Sequence, residues 1–264
     1  MFNKKSIFGI LNITPDSFSD GGSFLDIEKA VQKAAQMQEE GADVIDIGGE
    51  STRPFSSPVS QEDEEKRILP AIEKIKSQVK AEISVDTRNW KTAEKALKSG
   101  ASIINDVTGF RDEKMIEIAA KYNAKAVIMH MKGEPKTMQD NPSYGDLLGE
   151  ICSFFEDRIK KLEKAGVKEI AIDPGIGFGK TYEHNLILIK NISFFKKLSK
   201  PIMIGVSRKS FIGFYCAEKN PKERLGATIA ANVLGFLNGA DIFRVHDVKA
   251  CRQALEITGK IISV

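Results

Sequence analysis

The sequence predicts a TIM (β/α)8 barrel, in which eight parallel strands, each followed by a helix, close into one sheet. Short apolar runs alternate with stretches of helical periodicity, the alternation occurs eight times, and a glycine recurs between a helix and the next strand. The length of 264 residues suits one such barrel. We therefore expect residues 1–264 to form a single domain. The alternative is a Rossmann-like sheet, which usually has fewer strands.

The predicted strands are short apolar runs, as expected for parallel strands that are covered on both faces. They span residues 7–11, 44–47, 83–85, 103–104, 126–129, 170–172, 202–204 and 242–245. Apolar residues at helical spacing predict helices over residues 27–40 and from 61 to about 79. The remaining helices are expected to begin near Trp90, Glu113, Tyr144, His184, Lys222 and Asp247.

A weak internal repeat supports this count of units. Gly41, Gly100, Gly166 and Gly239 each stand between a predicted helix and the next strand. A glycine there predicts the left-handed residue that ends a helix, and Asn123 is expected to play the same part before the fifth strand.

Composition restricts the range of functions. The chain is 42% hydrophobic and 28% charged, and its net charge of +3 is too small to indicate a nucleic-acid partner. Cys152, Cys216 and Cys251 form no CxxC pair, which predicts neither a disulfide framework nor a thiolate metal site and favours the reducing cytoplasm. The first apolar run is too short for a signal peptide. Membrane spans are not expected, since no segment has the roughly 18 apolar residues that one needs.

Polar residues follow almost every predicted strand, at the carboxyl ends where such barrels have their active sites. Each one alone is better explained as a helix cap than as a ligand, but eight together favour a site. The set divides by charge, which predicts a flat heterocycle with N–H donors on one side and a phosphate on the other. The heterocycle side comprises Asp86, Asn105 and Asp173, and the phosphate side comprises Ser207, Arg208, Lys209, Arg244 and His246.

The stretch IAIDPGIGFGK, residues 170–180, is the most informative segment. An apolar run delivers Asp173 to a strand end, and three glycines follow within six residues. The two common phosphate-loop patterns each fail by one residue, at Pro174 and at Lys180. A ligand-binding carboxylate and a simple cap of the following loop remain as alternatives for Asp173.

Metal and histidine chemistry are less clearly indicated. The chain has no HExxH motif, which disfavours a zinc hydrolase. His130 fits a structural and a functional role equally well. Asn12, Asp16 and Asp20 are candidates either for Mg²⁺ held together with phosphate oxygens or for turn and helix caps.

Eight motifs together resemble dihydropteroate synthase over essentially the whole chain and in the same order. They are ILNITPDSFSDGG (10–22), GGESTRP (48–54), VDT (85–87), INDVTG (104–109), MHMKGEPKTMQ (129–139), DPGIGFGK (173–180), SRKSFIG (207–213) and RVHDV (244–248). The resemblance implies a pterin-binding enzyme that joins (7,8-dihydropterin-6-yl)methyl diphosphate to 4-aminobenzoate in folate biosynthesis. Such a transferase is a sulfonamide target.

The resemblance also implies roles for individual residues. The pterin would lie on Asp86, Asn105, Asp173 and Lys209, with Thr52 nearby. The diphosphate would lie on Asn12, Arg53, Arg244 and His246, with Asn12 a ligand of the Mg²⁺ cofactor and Asp20 a second candidate ligand. The aminobenzoate pocket would comprise Phe18, Thr52, Pro54, Phe178, Lys209 and Ser210. The residues expected to act in catalysis are Asp20, Arg53, Lys209, Arg244 and His246.

The implied reaction is SN1-like, with departure of diphosphate before the amine attacks. The expected partners are these two substrates and a second copy of the chain in a homodimer, with no nucleic acid and no membrane. Two other functions stay open: a pterin-binding methyltransferase that serves a corrinoid protein, and a non-catalytic pterin-binding protein. Phe55 departs from the family pattern, which commonly has glycine after Pro54.

Overall fold

The computed structural model describes residues 2, 5–14, 24–50, 59–134 and 137–264, with the side chains of residues 24 and 25 excepted. Within these ranges eight strands lie in one parallel sheet. They are β1 (Ser6–Asn12), β2 (Val44–Gly48), β3 (Glu82–Asp86), β4 (Ile103–Asp106), β5 (Lys125–Met129), β6 (Ile170–Asp173), β7 (Met203–Ile204) and β8 (Ile242–Val245). Hydrogen bonds connect them in the order β6-β5-β4-β3-β2-β1-β8-β7.

The two ends of this order meet, so the sheet is a nearly closed barrel. Ile172 in β6 forms a parallel bridge with Ile202, and its N–H donates to the carbonyl of Pro201 at 2.9 Å. The predicted TIM (β/α)8 barrel is thus confirmed, and the Rossmann-like alternative is wrong. Strand β7 is shorter than predicted because Ile202 contributes only that bridge.

Nine α-helices surround the barrel in the described ranges. They are α1 (Phe24–Glu39), α2 (Gln61–Gln78), α3 (Trp90–Lys98), α4 (Glu113–Lys121), α5 (Leu147–Lys164), α6 (Tyr182–Lys190), α7 (Ser210–Tyr215), α8 (Leu225–Leu237) and α9 (Val248–Ile261). The helix predicted near Tyr144 begins at Leu147, because the side chain of Asp146 caps it by accepting from the N–H of Gly149. Two helices, not one, follow β7, and the helix expected near Lys222 is α8, which begins at Leu225 after a short 3₁₀ turn.

The predicted helix-ending residues all have left-handed backbone conformations. The φ angles are 101° at Gly41, 114° at Gly100, 95° at Gly166 and 104° at Gly239, and Asn123 has a φ of 50°. The repeat in the sequence therefore marks the four helix-to-strand joints that it was expected to mark.

Two apolar layers support the barrel, and strand alternation separates them. The larger layer lies between strands and helices and includes Ile7, Ile45 and Ile104. The smaller layer fills the barrel interior and contains one residue from each of seven strands: Phe8, Val44, Ile103, Val127, Ala171, Met203 and Ile242.

The inner layer determines where the polar side chains go. Residues two positions further along a strand point to the same side as the inner-layer residue. Those positions after Val44, Ile103, Ala171 and Ile242 are occupied by Asp46, Asn105, Asp173 and Arg244. The interior therefore changes from apolar to polar toward the carboxyl ends of the strands.

None of the helices that the structure describes is both long and apolar enough to cross a bilayer.

Candidate active site

Arg244 on β8 occupies the centre of the polar end of the barrel. Its Nε donates to Asp46 Oδ2 and its Nη2 donates to Asp86 Oδ2, each at 2.6 Å. Both carboxylates are buried, whereas the Arg244 side chain as a whole is about one-fifth exposed. Charge-assisted bonds of this length fix the guanidinium between two adjacent strands.

This position brings together two residues that were expected on opposite sides of the site. The sequence placed Arg244 with the phosphate-side cations and Asp86 on the heterocycle side, but the two residues form an ion pair. They meet because β8 neighbours β1, so a long side chain from Arg244 reaches across to β2 and β3. In this structure the carboxylates already hold a cation of the protein itself.

Asp86 is a strongly perturbed carboxyl group. Burial raises its pKa to about 7, Arg244 opposes that rise, and the neighbouring charge of Asp46 adds to it. Its Oδ1 is buried and has no hydrogen-bond partner among the described residues. A buried acceptor without a donor is costly and is expected where a ligand supplies the donor.

Asp46 is the residue that sequence reasoning missed. It lies inside β2, two residues before the strand ends, and is fully buried. The Asn105 Nδ2 atom lies 3.3 and 3.5 Å from its two carboxylate oxygens, so these contacts are long. The only signal in the sequence is a single carboxylate within the apolar run VIDI.

Asp173, at the end of β6, caps the following loop and is buried at the polar end of the barrel. Its Oδ1 accepts from the N–H of Gly175 at 2.8 Å, so it does hold the following loop. It is also buried at the polar end of the barrel, which raises its pKa, while Lys209, Gly175 and Arg244 oppose the rise. Its role as a loop cap therefore does not exclude a role toward a ligand.

Lys209 and Phe178 form one contact across the site. The ammonium group lies 4.6 Å from the centre of the Phe178 ring and donates to the carbonyl of Ile176. Burial lowers the pKa of Lys209 to about 8, against the opposing effect of Asp173. Phe178 packs on an apolar group that the sequence analysis gave no role, comprising Val107, Met129, Met131 and Met138.

A second buried lysine, Lys180, holds the loop that follows β6 to the end of β5. The Nζ of Lys180 lies 3.1 Å from His130 Nδ1 and donates to the carbonyls of His130 and Phe178, at 3.3 and 2.9 Å. Burial and the lysine charge lower the pKa of His130 to about 2, so its ring is neutral and Nδ1 accepts. Of its two predicted roles, His130 thus has the structural one.

The polar residues after β7 and β8 form two separate hydrogen-bonded pairs. Arg208 donates to both carboxylate oxygens of Asp247, at 2.9 and 2.5 Å, so its charge is already paired. His246 Nδ1 lies 3.0 Å from Ser207 Oγ, which also accepts from the His246 N–H at 3.2 Å. Ser210 is exposed at the beginning of α7.

Asn12 ends β1 and is half-buried opposite Gly48. A Cβ at Gly48 would lie 3.6 Å from Asn12 Oδ1, so the glycine leaves little spare room beside the amide. The ranges that the structure covers contain no group of three or more His, Cys, Asp or Glu side chains suited to a metal ion. Asn12 offers a single amide oxygen at the end of β1.

Several predicted site residues lie outside the described ranges. The structure describes the residues on both sides of positions 51–58. Arg88 donates to both oxygens of Glu50, at 3.1 and 2.9 Å, and the Val59 N–H donates to the same carboxylate at 3.2 Å. The residues outside the described ranges are Asp16, Phe18, Asp20, Thr52, Arg53, Pro54 and Phe55.

Comparisons with known proteins identify the family. The family described as "Pterin binding enzyme" matches residues 8–246. The dihydropteroate synthase of Clostridium beijerinckii is 45% identical over 260 residues, covering 97% of this chain and 94% of the relative. The chain belongs to the dihydropteroate synthase family.

Solved dihydropteroate synthases have the same fold. The enzyme of Clostridium difficile, crystallised in the presence of pteroic acid, superposes with a TM-score of 0.92 at 44% identity, covering 98% of this chain and 97% of that one. The Yersinia pestis dihydropteroate synthase in a sulfonamide complex gives a TM-score of 0.93 at 38% identity, covering 99% and 95%.

Proposed function

We propose that this chain condenses (7,8-dihydropterin-6-yl)methyl diphosphate with 4-aminobenzoate, giving 7,8-dihydropteroate and diphosphate in folate biosynthesis. One observation carries the proposal beyond family membership. Buried acceptors converge at the polar end of the barrel, and the Oδ1 of Asp86 has no partner in the described part of the chain. A ring edge that presents N–H and NH₂ groups supplies the missing donors.

The pterin is assigned to Asp86, Asn105 and Asp173, with Lys209 beside them. These residues come from β3, β4, β6 and the segment after β7, so a flat ring across the barrel mouth meets all of them. The carboxylates also stabilise positive charge that develops on the pterin as the C–O bond to diphosphate breaks. The reaction is accordingly SN1-like, with the aniline nitrogen attacking an electron-poor methylene carbon.

The leaving diphosphate is assigned to Arg244 and His246, together with Asn12, Thr52 and Arg53. The Oδ1 of Asp86 is open to a pterin donor while Arg244 stays on Oδ2. Where the pterin also takes Oδ2, the freed Nη2 of Arg244 can donate to phosphate oxygen. The 4-aminobenzoate ring is assigned to Phe178, Lys209 and Ser210, with Phe18, Thr52 and Pro54. Sulfonamides resemble 4-aminobenzoate and are expected to compete at this subsite.

The donors fit Mg²⁺ held mainly by the substrate. Asn12 offers one amide oxygen, Asp20 is the second candidate ligand, and this ion typically takes only one or two protein ligands beside phosphate oxygens and water. When bound, Mg²⁺ would neutralise charge on the diphosphate and make it a better leaving group.

Chelation separates this arrangement from a metal that stabilises the fold. Excess EDTA should abolish turnover and leave the far-UV circular dichroism spectrum unchanged, because the ion belongs to the substrate complex. Restoring Mg²⁺ should restore turnover. Loss of helical signal on chelation would contradict the assignment.

We further propose a homodimer in the cytoplasm. Exposed apolar side chains cluster on three neighbouring helices, α6, α7 and α8, including Leu186, Phe214, Tyr215, Leu234 and Leu237. Apolar patches of this kind typically mark interfaces. The three cysteines are free, with Cys152 and Cys251 buried, which supports a reducing compartment.

A coupled diphosphate-release assay tests the function. Release should require both the pterin diphosphate and 4-aminobenzoate, and 7,8-dihydropteroate should appear in equal amount. A methyltransferase would release no diphosphate, and a non-catalytic binding protein would bind the pterin without turnover. Aminobenzoate-independent release, or none, would overturn the proposal.

A further inference from the structure

We propose that Asp46 is a positioning residue that determines how Asn105 and Arg244 meet the substrate. The proposal rests on the proposed function, because both neighbours are assigned to the pterin diphosphate. Asp46 has 0% exposure, so it acts through these two residues and does not touch the substrate.

The first consequence concerns the amide of Asn105. An ionised carboxylate only accepts hydrogen bonds, so the amide must turn its NH₂ group toward Asp46. The distances of 3.3 and 3.5 Å place Nδ2 beside both carboxylate oxygens. Oδ1 then faces away from Asp46 and is the atom that Asn105 offers to a ligand. Asp46 thereby makes Asn105 an acceptor, as a pterin N–H requires.

The second consequence concerns the guanidinium of Arg244. Its Nε is bound to Asp46 and its Nη2 to Asp86, so the two contacts use different nitrogens. A ligand that takes Asp86 Oδ2 displaces only the Nη2 contact. Asp46 keeps Nε and a full compensating charge, and the far end of the guanidinium is left for an anionic group. Breaking a buried pair completely would instead leave an uncompensated charge.

Asp46→Asn is the variant that breaks this arrangement. The new amide presents an NH₂ group to Asn105, which then turns its oxygen inward and its own NH₂ toward the ligand. The NH₂ group of Asn105 then faces an N–H donor of the pterin, and Arg244 loses a charged partner. We expect the Kd of the pterin diphosphate, measured without 4-aminobenzoate, to rise about 10- to 100-fold.

A reciprocal double variant separates positioning from simple structural support. In Asp46→Asn with Asn105→Asp, the amide at position 46 donates to the carboxylate at position 105, whose second oxygen again faces the ligand as an acceptor. The amide oxygen at position 46 still accepts from Arg244. We expect the double variant to bind the pterin diphosphate within about fivefold of the parent. Ser84→Ala is the matched control, since Ser84 is fully buried one strand away and its hydroxyl has no partner in the described ranges.

The outcomes are distinct. Parent protein that binds no pterin diphosphate would refute the proposed function before Asp46 is considered. With a competent parent, the proposal is supported by weakened binding in Asp46→Asn, recovery in the double variant and no change in Ser84→Ala. It is overturned if Asp46→Asn binds within twofold of the parent, or if the double variant does not recover although its melting temperature matches that of the parent.

Discussion

Asp173 accepts a hydrogen bond from the Gly175 N–H and is proposed to accept another from the pterin. The Gly175 N–H needs an acceptor, so in Asp173→Asn the amide oxygen stays on that N–H and the NH₂ group faces the pocket. A donor then opposes the donors of the pterin, and a negative charge near the developing cation is lost. We expect kcat/KM to fall about 10²- to 10⁴-fold.

The melting temperature of Asp173→Asn should change little because the bond to Gly175 is kept. The measurement is steady-state kinetics beside thermal unfolding. Activity within threefold of the parent would show that Asp173 only caps its loop.

Asp86 predicts a pH effect on stability. Its pKa in the folded protein is about 7, above the ordinary value of 3.8, so between these limits the folded chain holds a proton that the unfolded chain releases. This contribution to stability is fully present below about pH 4 and is lost as the pH rises through 7.

Asp86→Asn should remove the loss of stability that accompanies a rise in pH through 7. Arg244 keeps Asp46 as partner, and the excess buried negative charge disappears. We expect the free energy of unfolding at pH 8 to rise by roughly 1 to 3 kcal/mol while pterin binding is lost. Urea unfolding at pH 5 and pH 8 measures how the free energy of unfolding depends on pH in the parent and in the variant. The same dependence on pH in both proteins would contradict the assignment.

The sequence predicted site residues at or near the ends of strands and missed Asp46, which lies in the middle of β2. Asp86, Asp173 and Arg244 are recognisable because a polar residue ends or nearly ends each apolar run. Asp46 has no such position, and its contact with Arg244 joins residues 198 positions apart. The pairing of Arg244 with Asp86 was unpredictable for the same reason, since it depends on the length and direction of one side chain across a closed barrel.

At the scale of elements, the loop after β6 is the tightest part of the site. Gly175 has a φ of 68°, and a Cβ there would overlap the carbonyl oxygen of His130. Gly175→Ala should therefore lower the free energy of unfolding by about 3 kcal/mol or more and disturb Asp173.

Gly166→Ala is the matched control for that prediction. Its φ of 95° is also left-handed, but no atom lies within 4 Å of the added methyl group. It should cost only about 1 kcal/mol and leave kcat/KM unchanged. Equal losses of stability in the two variants would show that backbone conformation, not contact with His130, determines the cost.

Element types were more predictable than element ends. Apolar runs and glycine joints gave all eight strands, because burial on both faces leaves a strong signal. The short helix α7 was missed since its six residues are too few for helical periodicity. The start of α5 was misplaced because the cap, Asp146, lies in a polar segment with several residues that can cap.

At the scale of the molecule, the apolar patch on α6, α7 and α8 predicts the oligomeric state. The Phe214 side chain is 62% exposed and its ring centre lies 4.7 Å from that of Tyr182, so the patch is continuous between α6 and α7. Phe214→Glu with Leu234→Glu should convert a dimer to a monomer at micromolar concentration, as measured by light scattering.

Ile257→Glu on α9 is the control, because it removes an apolar side chain of 59% exposure outside the three helices. It should leave the dimer intact. A parent protein that is monomeric, or a double variant that remains dimeric, would refute the proposed interface.

The contact between Arg244 and Asp86 Oδ2 competes with any ligand group that needs the same oxygen. Any ligand that needs Asp86 Oδ2 binds only those molecules in which the guanidinium has moved away. Its apparent dissociation constant is then the intrinsic constant divided by the fraction of molecules in that open arrangement. A compound that binds the pocket while leaving the Arg244 contact in place escapes this penalty. Such a compound need not resemble the pterin to bind as tightly.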